Sequence, residues 1–199
     1  METMNSRQKQ SIETELKIVR TALSLMRKKG YENVGIREIC DAAGISTGAF
    51  YHHFKSKEDM LNIGFGTYDE YLAEVLETYE NPDPLEFLRF VLLNQTEYVM
   101  KQTGSLTSEL YRALLSSNDK YAIDTFRLYY RTVRKAIELC LKEGKFHASF
   151  TADYLTEFLI RVVRGDIIDW CLHEYSYNLM EYVGKDLNVI FAGLCCKTE

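Results

Sequence analysis

The sequence has few residues that interrupt helices. Only two of its 199 residues are proline, and both lie in Asn81-Pro82-Asp83-Pro84. This excludes proline-rich linkers and leaves long stretches free to be helical. Five cysteines, Cys40, Cys140, Cys171, Cys195 and Cys196, form an odd set without framework spacing. A secreted disulfide scaffold is thereby excluded. No apolar run approaches the ~20 residues that span a bilayer, so no membrane partner is expected. The first eleven residues are polar and lack a signal peptide's apolar run, which makes the cytoplasm the expected compartment. Histidine is scarce too. His147 and His173 have no evident partner, and Cys171 and His173 are not at the i, i+3 or i+4 spacing that lets one helix hold a metal. Neither a catalytic constellation, nor a metal site, nor a cofactor is expected.

What is present is an ordinary globular composition, 46% hydrophobic and 27% charged, enough to bury a sizeable core. The net charge of -5 speaks against nucleic acid, but its distribution reverses the argument. Residues 1–57 hold ten Lys/Arg against six Asp/Glu; the remainder holds fourteen against twenty-three. A basic end on an acidic body suits a polyanion met by one segment.

Ile12, Leu16, Val19, Leu23 and Met26 recur at three- and four-residue steps and predict an amphipathic helix. Gly30 ends it behind Arg27, Lys28 and Lys29, which suit the negative end of the helix dipole. Short helices are expected at about 36–42 and 47–53. Ser56 and Asp59, spaced as in a capping box, open a long fourth helix reaching about Tyr79. Asp83 and Pro84 suit the cap and first turn of a fifth. Helices near 84–101, 105–116, 119–143, 152–175 and 178–195 bring the total to nine. Gly144 fits a helix end, whereas Gly184 has to be tolerated inside the last helix.

Two short helices joined by a tight turn are the layout of a helix-turn-helix. The segment runs from Ile36 to Phe54. Gly44 permits the left-handed backbone of a sharp turn. Cys40 and Ala43 are small enough for close approach, Ile39, Ile45 and Phe50 make a miniature core, and Ser46 can cap the second helix. A helical hairpin with an aromatic core explains Phe50 and Phe54 equally well. It does not explain Tyr51-His52-His53, because three consecutive residues cover nearly the whole helix circumference and some must face outward.

Gly30-Tyr31, Ile39, Ala43-Gly44-Ile45-Ser46, Gly48, Phe50-Tyr51-His52-His53-Phe54-Lys55-Ser56-Lys57-Glu58 and Leu61 together resemble the N-terminal signature of the tetracycline-repressor (TetR) family, over about residues 12–62. The resemblance implies an all-α fold. A three-helix helix-turn-helix domain over 1–56 would bind DNA, and a helical domain over 57–199 would bind an effector and dimerise. It also implies that the third helix enters the major groove of double-stranded DNA. Ser46, Thr47, Gly48 and Ala49 then lie at the base-facing end. Thr47 can bond a base edge, Ala49 can touch a thymine methyl, and Gly48 allows close backbone approach. Arg37 matches a guanine-reading position. Tyr51, His53 and Lys57 match phosphate-contacting positions, with His52 beside them. A cation in a first helical turn opposes the helix dipole, and a phosphate shared between Lys57 and free N–H groups would relieve the conflict. One departure stands out: Val34 and Gly35 offer no hydroxyl where the family usually has Thr or Ser, which puts one phosphate contact in doubt.

For the remaining two-thirds the resemblance implies architecture but no particular ligand. Met180, Val183, Leu187, Ile190 and Leu194 form a seam, and the preceding helix has a wide apolar surface. Pairing both across a two-fold axis would make a four-helix interface, with Leu155, Phe158, Val162, Val183, Leu187, Ile190 and Leu194 as its expected contacts. A homodimer calls for an inverted-repeat operator. Abundant tyrosine and an acidic balance suit an aromatic or cationic hydrophobic small molecule, with Tyr98, Phe126, Tyr130 and Trp170 as expected lining. The reading is of a repressor released by such an effector. Two others compete with it: a DNA-anchored protein-interaction module, and an all-α enzyme for which no catalytic group is found.

Overall fold

The computed structural model describes residues 6–118 and 120–195. Among the described residues there are ten α-helices: α1 (Ser6–Lys29), α2 (Ile36–Ala43), α3 (Thr47–His53), α4 (Lys57–Asn62), α5 (Gly64–Leu76), α6 (Pro84–Tyr98), α7 (Thr107–Ser116), α8 (Leu128–Lys142), α9 (Ala152–Leu172) and α10 (Leu179–Leu194). By packing, the chain divides into two compact units, 1–68 with 105–123, and 69–104 with 124–199.

In the first unit the apolar stripe of α1, Ile18, Val19, Ala22, Leu23 and Met26, packs on Ile39, Cys40 and Ala43 of α2 and on Phe50 of α3. Leu106, Leu110 and Ala113 complete that core. In the second unit α6, α8, α9 and α10 pack together. The core there includes Leu88, Val91, Val133, Ile137, Leu159, Val163, Val183 and Leu187. Gly184 is accommodated inside α10 with no neighbour within 4 Å of a built Cβ, and Gly144 follows α8 with φ 69°.

Nine expected helices become ten because the fourth breaks at Ile63. The Ile63 N–H bonds back three residues to the Met60 carbonyl, 3.2 Å, which tightens the turn. The sequence offers the means in Gly64 and Gly66. A β-carbon on Gly64 would lie 3.0 Å from Leu110 Cδ2, and one on Gly66 would lie 3.2 Å from Leu16 Cδ2. Glycine here permits close packing of α5 on α7 and α1, a tertiary demand that local periodicity does not register.

α8 begins nine residues later than the expected 119. Asp124 Oδ1 accepts the Phe126 N–H at 2.8 Å, a turn that competes with helix. Arg127 follows, buried, with Nε donating to Asp69 Oδ2 at 2.8 Å. Asp69 Oδ1 accepts the Tyr129 N–H, so a carboxylate from α5 caps α8. α6 ends at Tyr98 and passes into a π-helical turn, Val99–Thr103, before Gly104 at φ 51°. None of the described helices is long and apolar enough to cross a membrane.

Candidate nucleic-acid interface

The turn between α2 and α3 closes as its residues dictate. Gly44 is left-handed at φ 69°, and its N–H points to Asp41 and Cys40 carbonyls. Ile45 N–H bonds to Cys40 O at 3.0 Å. Ser46 Oγ accepts the Ala49 N–H at 3.1 Å and caps α3. Phe50 and Phe54 are buried with ring centroids 5.3 Å apart, which fixes the rotation of α3 about its axis. Because those two positions face in, Ser46, Thr47, Gly48, Tyr51 and His52 face out, with Tyr51 55% exposed and Ala49 half-buried. A β-carbon on Gly48 would meet nothing nearer than Ser46 Oγ, at 3.8 Å. The protein's own packing therefore does not require glycine there.

Arg37 on α2 is also exposed and has no ion-pair partner among the described residues. At the departure from the family pattern, Val34 is fully buried and Gly35 caps α2 without a side-chain hydrogen bond. The missing hydroxyl is thus exchanged for core packing. Cys40 has its thiol pushed up by burial, with a hydrogen bond to Thr47 acting the other way.

Two expected phosphate contacts are engaged inside the protein. His53 Nδ1 lies 3.0 Å from Glu15 Oε1 on α1, and both side chains are largely covered. Lys57 Nζ donates to the Tyr31 carbonyl at 2.8 Å and to the Val34 carbonyl at 3.1 Å, and sits 3.8 Å from the centre of the Tyr31 ring. The conflict between this cation and its own helix dipole is met by loop carbonyls and an aromatic face. Tyr31 was not picked out from the sequence, although it lies in the family signature. Its hydroxyl donates to Glu58 Oε1 at 2.7 Å. That bond holds the Glu58 carboxyl below its usual range, while burial and the Glu58 charge push the Tyr31 phenol up. The signal available in sequence was the pairing of Tyr31 with Lys57-Glu58, but neither residue type demands the other.

Residues 18–62 match the family model described as bacterial regulatory proteins, tetR family. The chain is 38% identical over 181 residues to the HTH-type transcriptional repressor KstR2 of Rhodococcus jostii, covering 87% of each. It is 22% identical over 179 residues to the probable acrEF/envCD operon repressor of Escherichia coli K12, covering 85% of this chain and 81% of the relative. The chain belongs to the TetR family. In fold it resembles the crystal structure of the Thermus thermophilus FadR, a TetR-family repressor in complex with lauroyl-CoA, with TM-score 0.68 and 20% identity over 93% of this chain and 97% of that one. A TetR-family regulator from Haloarcula marismortui gives TM-score 0.67 at 18% identity, covering 92% and 99%. This TetR-family chain is therefore an all-α, DNA-binding transcriptional regulator and not an enzyme.

In this TetR-family protein the four aromatic residues expected to line a ligand pocket lie on different elements: Tyr98 ends α6, Phe126 precedes α8, Tyr130 is on α8 and Trp170 on α9. Phe126 is 83% exposed, in the turn before α8. Tyr98 is half-buried with its ring 5.1 Å from that of Tyr71. Tyr130 is buried, its hydroxyl accepting from Arg164 Nη2 at 2.9 Å. Trp170 is buried against Tyr175, and its Nε1 donates to the Tyr177 carbonyl.

The expected dimer contacts also divide. Leu155, Val183, Leu187 and Leu194 are buried within the protomer, and Phe158, Val162 and Ile190 are half-buried. The outward apolar residues are instead Tyr154, Ile168 and Leu172 on α9, and Tyr182 and Val189 on α10. Leu172 is 76% and Val189 74% exposed. Cys195 is half-buried beside an isolated bridge to Phe146, while Cys196 lies outside the described residues.

Proposed function

We propose that this regulator is a repressor that binds a palindromic operator as a homodimer and leaves it when a small molecule binds. Residues 1–56 make the DNA contacts, and residues 57–199 carry the effector site and the dimer surface. One observation carries the DNA reading. Phe50 and Phe54 anchor α3 from below, and the polar face it turns outward is capped by Ser46 and free of packing demands at Gly48. On this reading Thr47, Gly48 and Ala49 meet base edges, Arg37 adds a contact from α2, and Tyr51 and His52 meet phosphate. His53 and Lys57 act one step back. His53 ties α3 to α1 through Glu15, and Lys57 fixes the loop that leads into α2.

Dimerisation is assigned to the outward faces of α9 and α10. Tyr154, Ile168 and Leu172 follow one side of α9 at spacings that fit a helical stripe, and Tyr182 and Val189 lie one heptad apart on α10. Exposed apolar side chains of this size, grouped on two neighbouring helices, fit burial against a second copy. The repressor sense follows the names of the curated relatives, KstR2 and the acrEF/envCD operon repressor.

The deciding experiment selects bound fragments from a random DNA pool, with wild-type and Tyr51→Ala protein in parallel. The reading expects an inverted repeat enriched by the wild type and lost or weakened in the variant. Failure of the wild type to enrich any sequence at low salt would overturn it.

A further inference from the structure

The second unit contains a cavity of about 510 Å³ between the end of α5, the Asn81-Pro82 turn, the start of α6 and one side of α8. This size lies within the range that takes drug-sized ligands. Leu76, Tyr79, Phe87, Leu128 and Leu139 supply apolar wall. Tyr79 is held in place by its neighbours: its ring lies 5.0 Å from Phe87 and stacks on Phe90 at 4.3 Å. Two cations line the same cavity, Arg131 and Lys135, one helical turn apart on α8.

These cations are unusual in their company. Arg134, between them in sequence, is paired with Glu138 and Asp153. Among the described residues, Arg131 and Lys135 have no carboxylate partner. Like charges at i, i+4 repel on a helix. The acids near the α6 end of the cavity do not answer them. Asp83 is committed to capping α6 and to the Lys145 ammonium, and Glu86 lies in the first turn of α6, where a carboxylate suits the helix dipole. The Tyr79 phenol is pushed up by burial and by those two acids, so it stays a neutral donor at physiological pH.

We propose that this cavity binds an amphipathic anion, with its carbon body against Leu76, Phe87, Leu128 and Leu139 and its carboxylate between Arg131 and Lys135. The same contacts disfavour the cationic ligand that composition alone suggests, because two uncompensated positive charges stand at the site. The binding claim is independent of DNA. Its regulatory meaning rests on the effector-released repressor reading.

The test uses the full-length protein and three probes of equal chain length: dodecanoate, dodecanol and dodecylamine, titrated by calorimetry below their micellar range. Dodecanoate is expected to bind at least about tenfold more tightly than dodecanol, and dodecylamine not to bind measurably. Arg131→Gln with Lys135→Gln should remove the preference for dodecanoate over dodecanol while leaving dodecanol binding intact. Arg131→Glu with Lys135→Glu should invert it in favour of dodecylamine. Both positions are exposed, so both variants should keep the wild-type melting temperature. Equal binding of all three probes, no binding of dodecanoate, or a dodecanoate affinity unchanged in both double variants would overturn the proposal. Release of a selected operator is measured separately. Charge-dependent dodecanoate binding that leaves the operator complex intact supports the cavity assignment and counts against this site as the switch.

Discussion

The α2–α3 hairpin and the longer α9–α10 pair each have one buried and one exposed side, yet they constrain their residues differently. In the hairpin the inward positions of α3 carry large rings and those of α2 small or branched side chains, the turn needs Gly44, and the outward positions are polar or small apart from Tyr51. In the α9–α10 pair both sides are apolar: Val183 and Leu187 face in, and Val189 and Tyr182 face out. A periodic pattern identifies an amphipathic helix, but it cannot say which of two apolar stripes is the protomer's own core. The first region is therefore specified residue by residue, and the second only as a class of surface.

The comparison can be broken or sharpened by substitution. The largest effect is expected at Phe50, which is fully buried beneath α3. Phe50→Ala should cost about 3–5 kcal/mol in denaturant unfolding and abolish operator binding with it. A loss below about 1 kcal/mol would mean that α3 is not held as described. Next, Leu172→Asp and Val189→Asp should dissociate the dimer by about 2 kcal/mol or more in sedimentation equilibrium while leaving the protomer folded. Dimers of unchanged affinity would remove α9 and α10 from the interface.

A smaller effect concerns pH. Burial, helped by the carboxylates of Asp186 and Asp169, pushes Asp166 on α9 up to about 6. The folded state thus favours the protonated acid. This contribution is intact below an ordinary carboxyl value of 3.8 and is lost as pH rises towards about 6. Asp166→Asn should melt a few degrees higher than wild type at pH 7.5, about 2–4 °C for each kcal/mol recovered, and the gain should vanish near pH 4. A gain that is the same at both pH values would point to packing instead of charge. The smallest effect is at the α3 cap: Ser46→Ala should cost about 1 kcal/mol, and Ser46→Gly only a few tenths. Equal losses would show that Ser46 Oγ is not the capping group.

The hairpin was legible because each residue type has one physical reason to be there. Gly44 turns, Ser46 caps, and Phe50 and Phe54 fill the core. Helix positions were legible wherever start and stop signals are local, as at Asp83-Pro84 and Gly30. Three features were not. The break at Ile63 depends on Leu110 and Leu16 reaching Gly64 and Gly66 from other helices. The engagement of His53 by Glu15 and of Lys57 by the Tyr31 and Val34 carbonyls depends on packing between segments 23 to 38 residues apart. Finally, the aromatic count drew attention to tyrosines, several of which pack edge-on or tilted against another tyrosine ring. The more informative signal was the like-charged pair Arg131 and Lys135, a small local penalty without a local reason.

Asp69 illustrates a further property of such a fold. Its carboxylate caps α8 and holds Arg127 from a position 58 residues upstream. The first turn of α8 is therefore written in two places. α8 moved by itself into another scaffold would arrive without its start signal and with a buried arginine lacking a counter-charge. Exchange of this segment between related regulators should succeed only when residue 69 travels with it, so α5 and α8 form one inheritable module despite their separation along the chain.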